Sequence, residues 1–287
     1  MVHEPLPRSL PSEGEQRSPG GGPAGSKGET IIRVEGVTAG YDGRTILENV
    51  SFDVRRGEVF VILGGSGCGK STLLKHMIGL YPVQAGHVLI DGADIVTADG
   101  ADRDAILRKF GVMYQLGALF GSMTLLANVR LPLEEYTALP DEAIDLIARM
   151  KLALVGLEQS ADLLPAEISG GMQKRAAIAR AMALDPGLLF LDEPSAGLDP
   201  ITSVELDELI VQVNKSLGTT IVVVSHELPS IFTIATRCIM LDPATKSIIA
   251  EGPPKELRDQ HPDPRVHAFF NRQPSEQAQH RRASRGD

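Results

Sequence analysis

Eight consecutive residues, Gly64-Gly65-Ser66-Gly67-Cys68-Gly69-Lys70-Ser71, restrict this chain more than any others. They fit G-x-x-x-x-G-K-[ST], a pattern that arises by chance in roughly one chain in a hundred of this length. Their surroundings make chance weaker still. Val59 to Leu63 is a continuous apolar run of the kind buried on both faces of a sheet. The stretch from Lys70 to about Leu80 reads as a helix. A strand that turns through glycines into a helix gathers backbone N–H groups around one point, and the helix N-terminus adds partial positive charge. Such a loop cradles phosphate. Lys70 is then placed to reach the β- and γ-phosphates of a nucleotide, and the Ser71 hydroxyl to bind Mg²⁺. Cys68, close to the helix N-terminus, is expected to have a lowered thiol pKa.

A second signal lies downstream. Leu188-Leu189-Phe190-Leu191 runs straight into Asp192 and Glu193. Adjacent acids are commonly a solvated surface pair, but here they fall where a buried strand ends, which is where open α/β sheets bind ligands. Asp192 suits Mg²⁺, and Glu193 is placed to polarise an attacking water. Gln115 follows the apolar stretch Gly111 to Tyr114, and His226 follows Thr220 to Ser225. Either alone is more often structural. Four strand ends converging on one crevice is a different matter. His226 is suited to the γ-phosphate and the water, and Gln115 to the Mg²⁺. These residues describe a P-loop ATPase or GTPase.

Composition narrows the partners. The chain has 287 residues and a formal net charge of -9, against the basic stripe that nucleic-acid binders use to neutralise phosphates. Nucleic acid is therefore not expected as a partner. No apolar run approaches the roughly 18 residues that cross a bilayer, and the first residues lack the apolar core of a secretory signal. The two cysteines, Cys68 and Cys238, show no disulfide framework. A reduced compartment fits, and any service to a membrane is expected from the cytoplasmic side.

Residues 1–28 are rich in Pro, Gly and Ser and are expected to be a disordered tail. Residues 29–258 form the main domain, and 259–287 an extension that is partly disordered, its polar end running from Gln273 to Asp287. Ile31 to Val37 and Ile46 to Val54 alternate apolar and polar residues around a turn at Tyr41 to Gly43, which predicts an antiparallel hairpin. Helical stretches at Gly170 to Leu184 and Ile201 to Leu217 alternate with buried strands, which predicts a mainly parallel sheet covered by helices. Residues 122–168 look helical and are expected to be a subdomain. The stretch Pro264 to Arg272 reads as a short helix, packed either on a neighbouring subunit or back onto its own domain.

Ile168-Ser169-Gly170-Gly171-Met172-Gln173-Lys174-Arg175 selects the branch. It resembles the signature of the ABC ATPase family, whose usual form is Leu-Ser-Gly-Gly-Gln, and it sits upstream of the acid pair as that family requires. The resemblance covers Ile31 to Leu257 with each motif in order. It implies an α/β, P-loop NTPase fold with a mainly parallel core, an antiparallel β subdomain and a helical subdomain. It also implies ATP and Mg²⁺ as ligands. Tyr41 matches the aromatic that stacks on adenine. Gly64, Gly65, Ser66, Gly67, Cys68, Gly69, Lys70, Ser71 and Thr72 match Walker A. Gln115 matches the Q-loop, Asp192 Walker B, Glu193 the catalytic base and His226 the switch histidine. Ser195 to Asp199 match the D-loop.

In this family two copies pair head to tail, each ATP lying between one copy's Walker A loop and the other's signature, here Ser169, Gly170 and Gly171. The implied partners are a second copy and membrane permease subunits. Met172 and Ile168 depart from the usual signature, which matters little if Ser169 and backbone N–H groups make the phosphate contacts. The run Gln115-Leu116-Gly117-Ala118-Leu119-Phe120, together with Met172, resembles the ATPases of Mla-type phospholipid transporters, which work with an MCE-domain protein at the bacterial inner membrane. The alternatives are a transporter of another substrate, such as an amino acid, or a soluble ABC ATPase. The catalytic motifs do not choose among cargoes. Against the soluble class, the chain has one cassette and no sustained heptad region.

Overall fold

The computed structural model describes residues 28–115 and 117–272. The expected disordered segments, 1–28 and Gln273 to Asp287, lie outside these residues except for Gly28.

Strands β1 (Thr30–Tyr41) and β2 (Arg44–Arg55) form the expected antiparallel hairpin. Asp42 and Gly43 between them both take positive φ, 49° and 74°, giving the two-residue turn whose twist suits paired strands. β4 (Ala85–Ile90) and the short β5 (Ala93–Asp94) extend this sheet in the order β2-β1-β4-β5. β4 buries only Val88 and Ile90, which is too brief an alternation to read from sequence.

The second sheet contains β3 (Val59–Gly64), β6 (Phe110–Met113), β7 (Leu188–Asp192), β8 (Thr220–Val224), β9 (Arg237–Asp242) and β10 (Ser247–Gly252). Its order is β10-β9-β3-β8-β7-β6, parallel throughout except for β10 at one edge. Every residue of β3, β7 and β8 is buried, because both faces of the sheet are covered. Side chains alternate between the faces. Phe60 and Ile62 join β1, β2 and helix α1 (Lys70–Met77) in one core. Val61 and Leu63 join the other, beneath α5 (Gly170–Ala181), α6 (Pro200–Leu217) and α7 (Leu228–Ile234).

α2 (Gly100–Leu107) precedes β6, and α3 (Leu125–Tyr136) and α4 (Asp141–Leu154) pack together between β6 and α5. A Cβ on Gly111 in β6 would lie 1.9 Å from the Ala181 carbonyl oxygen, so glycine is what lets β6 and α5 approach so closely. α8 (Pro254–Gln260) and α9 (Pro264–Phe270) end the described chain. α9 folds back onto its own domain: Val266 and Phe270 are buried in the second core, and the Phe270 ring lies 5.6 Å from that of Phe232 in α7.

Candidate functional site

The C-terminal ends of β3, β6, β7 and β8 open into a cleft of about 440 Å³, a volume in the range of small-ligand sites. The glycine loop supplies Ser66, Gly67, Gly69, Lys70, Ser71 and Thr72 to its wall. Gln115, Glu193 and His226 come from the neighbouring strand ends. Gly67 and Gly69 turn the loop with φ of 77° and 102°, which only glycine adopts freely. Lys70 is buried, and its Nζ donates to the carbonyls of Gly64 and Gly65 at 3.0 and 3.2 Å. It also lies 4.0 Å from Oε1 of Glu193. The cation is thus held at the loop by groups that a phosphate can replace.

Ser71 Oγ donates to Asp192 Oδ1 at 2.9 Å, which brings two hard oxygen donors together below the loop. Burial pushes the Asp192 carboxyl above its ordinary pKa, and the Ser71 hydroxyl opposes the rise. Glu193 is buried and takes a positive φ of 49°. Its N–H donates to the Val224 carbonyl at 2.9 Å, tying the acid to β8. Nδ1 of His226 is 2.8 Å from both carboxylate oxygens of Glu193. The histidine side chain is half exposed and faces the cleft mouth. Buried acid, exposed imidazole and phosphate loop therefore share one space. That arrangement can hold an anion and orient a water beside it.

Not every expected residue is here. Gly64, Gly65, Cys68 and Asp192 do not line the cleft, Asp192 reaching it through Ser71. The Tyr41 ring packs against His76 and Tyr81, at 5.6 and 5.1 Å between centroids, while Ile46 of β2 takes the cleft wall. Ser169, Gly170 and Gly171 sit at the start of α5, away from the cleft. The Ser169 hydroxyl caps that helix by accepting the Met172 N–H at 3.3 Å, and Ser169 and Gly170 are exposed. The lowered thiol expected at Cys68 is overturned. Its side chain is buried, and desolvation pushes the thiol up more than neighbouring Lys70 pulls it down.

Sequence reasoning missed Ile46 and Lys174. Lys174 lies in the alanine-rich helix α5, yet it is buried and donates to the backbone carbonyl of Gln115. A signal existed: Lys174 shares a helix face with Ala177 and Ala181, both buried.

A phosphate-type loop on β3 and acids at the end of β7 make this a P-loop nucleoside triphosphatase by fold and site. Comparison with known proteins gives the branch: residues 47–196 match the family model described as ABC transporter. The chain belongs to the ABC transporter family, as an ATP-binding, ATP-hydrolysing subunit.

It is 40% identical over 241 residues to the intermembrane phospholipid transport system ATP-binding protein MlaF of Escherichia coli K12, covering 84% of this chain and 88% of that one. It is 41% identical over 240 residues to the "Probable ribonucleotide transport ATP-binding protein mkl" of Mycobacterium leprae, covering 84% and 68%. Among solved structures, it resembles the dimeric ATP-binding cassette MJ0796 bound to ADP and Pi. That match has a TM-score of 0.71 at 32% identity, over 78% of this chain and 98% of the other.

Proposed function

We propose that this chain powers phospholipid movement through a partner permease, from the cytoplasmic face of a bacterial inner membrane. The observation that carries the cargo is the similarity to MlaF across 84% of the chain. The run from Gln115 to Phe120 and Met172 in the signature agree with it. Among the described residues no helix is long and apolar enough to cross a membrane, and the proposal assigns that task to the permease.

In this reading the chain works as one half of a head-to-tail pair; the MJ0796 cassette it resembles is dimeric. Lys70 and the loop N–H groups bind the phosphates. Exposed Ser169 and Gly170 are free to contact the partner's nucleotide. Tyr41 stacks on adenine once its ring leaves His76 and Tyr81. Ser71 and Asp192 suit Mg²⁺, which commonly uses one carboxylate, nucleotide phosphates and waters rather than an all-protein cage. Bound there, the ion would neutralise phosphate charge. Glu193 takes the proton of the attacking water, and His226 fixes the carboxylate and meets the γ-phosphate. Gln115 senses γ-phosphate and Mg²⁺ at the edge of the helical region. An MCE-domain protein is the proposed third partner.

The test is to tag the chain in its own cell, extract membranes in mild detergent, and identify co-purifying proteins and lipids by mass spectrometry. A permease, an MCE-domain protein and bound phospholipid are expected. A different permease without phospholipid would discard the lipid reading and leave the ATPase intact.

A further inference from the structure

We propose that Lys174 is a positioning residue for hydrolysis, a buried cation that fixes the backbones of Gln115 and Glu193 relative to each other. The inference rests on the reading of Glu193 as the catalytic base.

A lysine seldom enters a protein interior without partners, because desolvating the ammonium is costly. Lys174 is 8% exposed, and its partners are specific. Nζ donates to the carbonyl of Gln115, just beyond β6, and lies 3.4 Å from the carbonyl of Glu193, just beyond β7. One ammonium therefore bridges the ends of two adjacent strands, at the two residues that face the cleft from them.

Glu193 is the residue that most needs such a hold. Its φ of 49° lies in the left-handed region, which a glutamate keeps only when its surroundings impose it. Three contacts hold its backbone. The Glu193 N–H is fixed by the Val224 carbonyl, and the Glu193 carbonyl is met by Lys174 and by the Ala196 N–H. Removing the ammonium takes away one of them. It also removes a positive charge that, like Lys70, faces both Asp192 and Glu193, two adjacent buried acids.

α5 is well placed to transmit position through this contact. Gly111 lets the helix lie hard against β6. Two turns along α5, Arg180 donates to the carbonyls of Gly117 and Ala118 at 3.0 and 2.8 Å. The helix that follows Ser169 thus grips Gln115 and the segment after it at two points, and Lys174 also reaches across to Glu193.

The experiment compares Lys174→Met, Lys174→Arg and Glu193→Gln in the full chain, measuring kcat by phosphate release, ATP affinity by equilibrium titration, and melting temperature. The Lys174 side chain does not itself line the cleft, so Lys174→Met is expected to bind ATP normally while kcat falls about 10- to 100-fold, the scale of a small misplacement. Lys174→Arg, which keeps a cationic donor, is expected to recover kcat to within about threefold of the parent. Full kcat in Lys174→Met, or an Arg variant no better than Met, would overturn the proposal. So would a lowered melting temperature with unchanged kcat per folded molecule. Should Lys174→Met fail to fold, Lys174→Gln retains a neutral donor and is judged by the same rule. Glu193→Gln separates the two claims. Turnover retained there removes the Glu193 assignment; turnover lost there but kept in Lys174→Met removes only the Lys174 one.

Discussion

His226 Nδ1 sits 2.8 Å from each carboxylate oxygen of Glu193, so the imidazole grips the acid symmetrically from the solvent side. The carboxylate behind it is buried, and Lys70 Nζ stands 4.0 Å away on the loop side. The glutamate is thus held between an exposed imidazole and a cation at present bonded to loop carbonyls. His226 is the nearer partner, and a phosphate that recruits Lys70 would leave that contact in place. Loss of His226 should then lower turnover more than it lowers nucleotide affinity.

Lys70→Ala acts on affinity itself. Among the described residues its Nζ meets two carbonyls and one distant carboxylate, all replaceable by phosphate oxygens. A hydrogen bond to a charged group contributes about 1.5–3 kcal/mol, which corresponds to roughly a 10- to 100-fold rise in Kd. Equilibrium titration with ATP measures it, and an unchanged Kd would count against the loop assignment.

Cys68 and Cys238 are both buried, and burial raises both thiols, Cys238 to about 12. Alkylation proceeds through the thiolate. Neither cysteine should react appreciably with iodoacetamide at pH 8 in the native protein, and both should react in denaturant. Rapid native labelling of Cys68, read by mass spectrometry, would show that the loop opens far more readily than this packing allows.

Asp207 of α6 is buried, its Oδ1 has no hydrogen-bond partner among the described residues, and desolvation raises its carboxyl pKa against the opposing Ser230 hydroxyl. In the pH range between the unfolded and the raised folded value, the native state binds the extra proton, so this group's contribution to stability is lost as pH rises. Asp207→Asn should therefore be neutral or stabilising at pH 7.5, with its advantage shrinking toward pH 5. Denaturant titrations at the two pH values test this; an advantage that grows on acidification would contradict it.

Phe270→Ala removes a buried ring that packs on Phe232. The expected cost is about 3 kcal/mol of stability, seen as a lowered melting temperature, with ATP affinity unchanged because α9 lies away from the cleft. Unaltered melting would mean that α9 is not docked in solution.

The site was largely legible because its chemistry sits at strand ends. β3, β7 and β8 are buried throughout, so their apolar runs announced both the strands and the polar residues that follow them. What escaped notice depended on tertiary contact. β9 buries only Cys238 to Leu241, and β4 only two side chains, so neither shows a sustained period. α9 carried its aromatics openly, but its docking surface is assembled from α7, which sequence spacing does not place. Lys174 stood in the sequence only as part of the signature run, and its role depends on β6 and β7 being brought beneath α5.

The most direct test of the account is turnover in Glu193→Gln, measured by phosphate release alongside ATP binding. The change keeps shape and removes the charge, so affinity should persist, a closed dimer should accumulate with ATP, and turnover should fall by about 10²–10⁴-fold. Normal turnover with normal binding would contradict the assignment of Glu193, and with it the reading of how this cleft hydrolyses ATP.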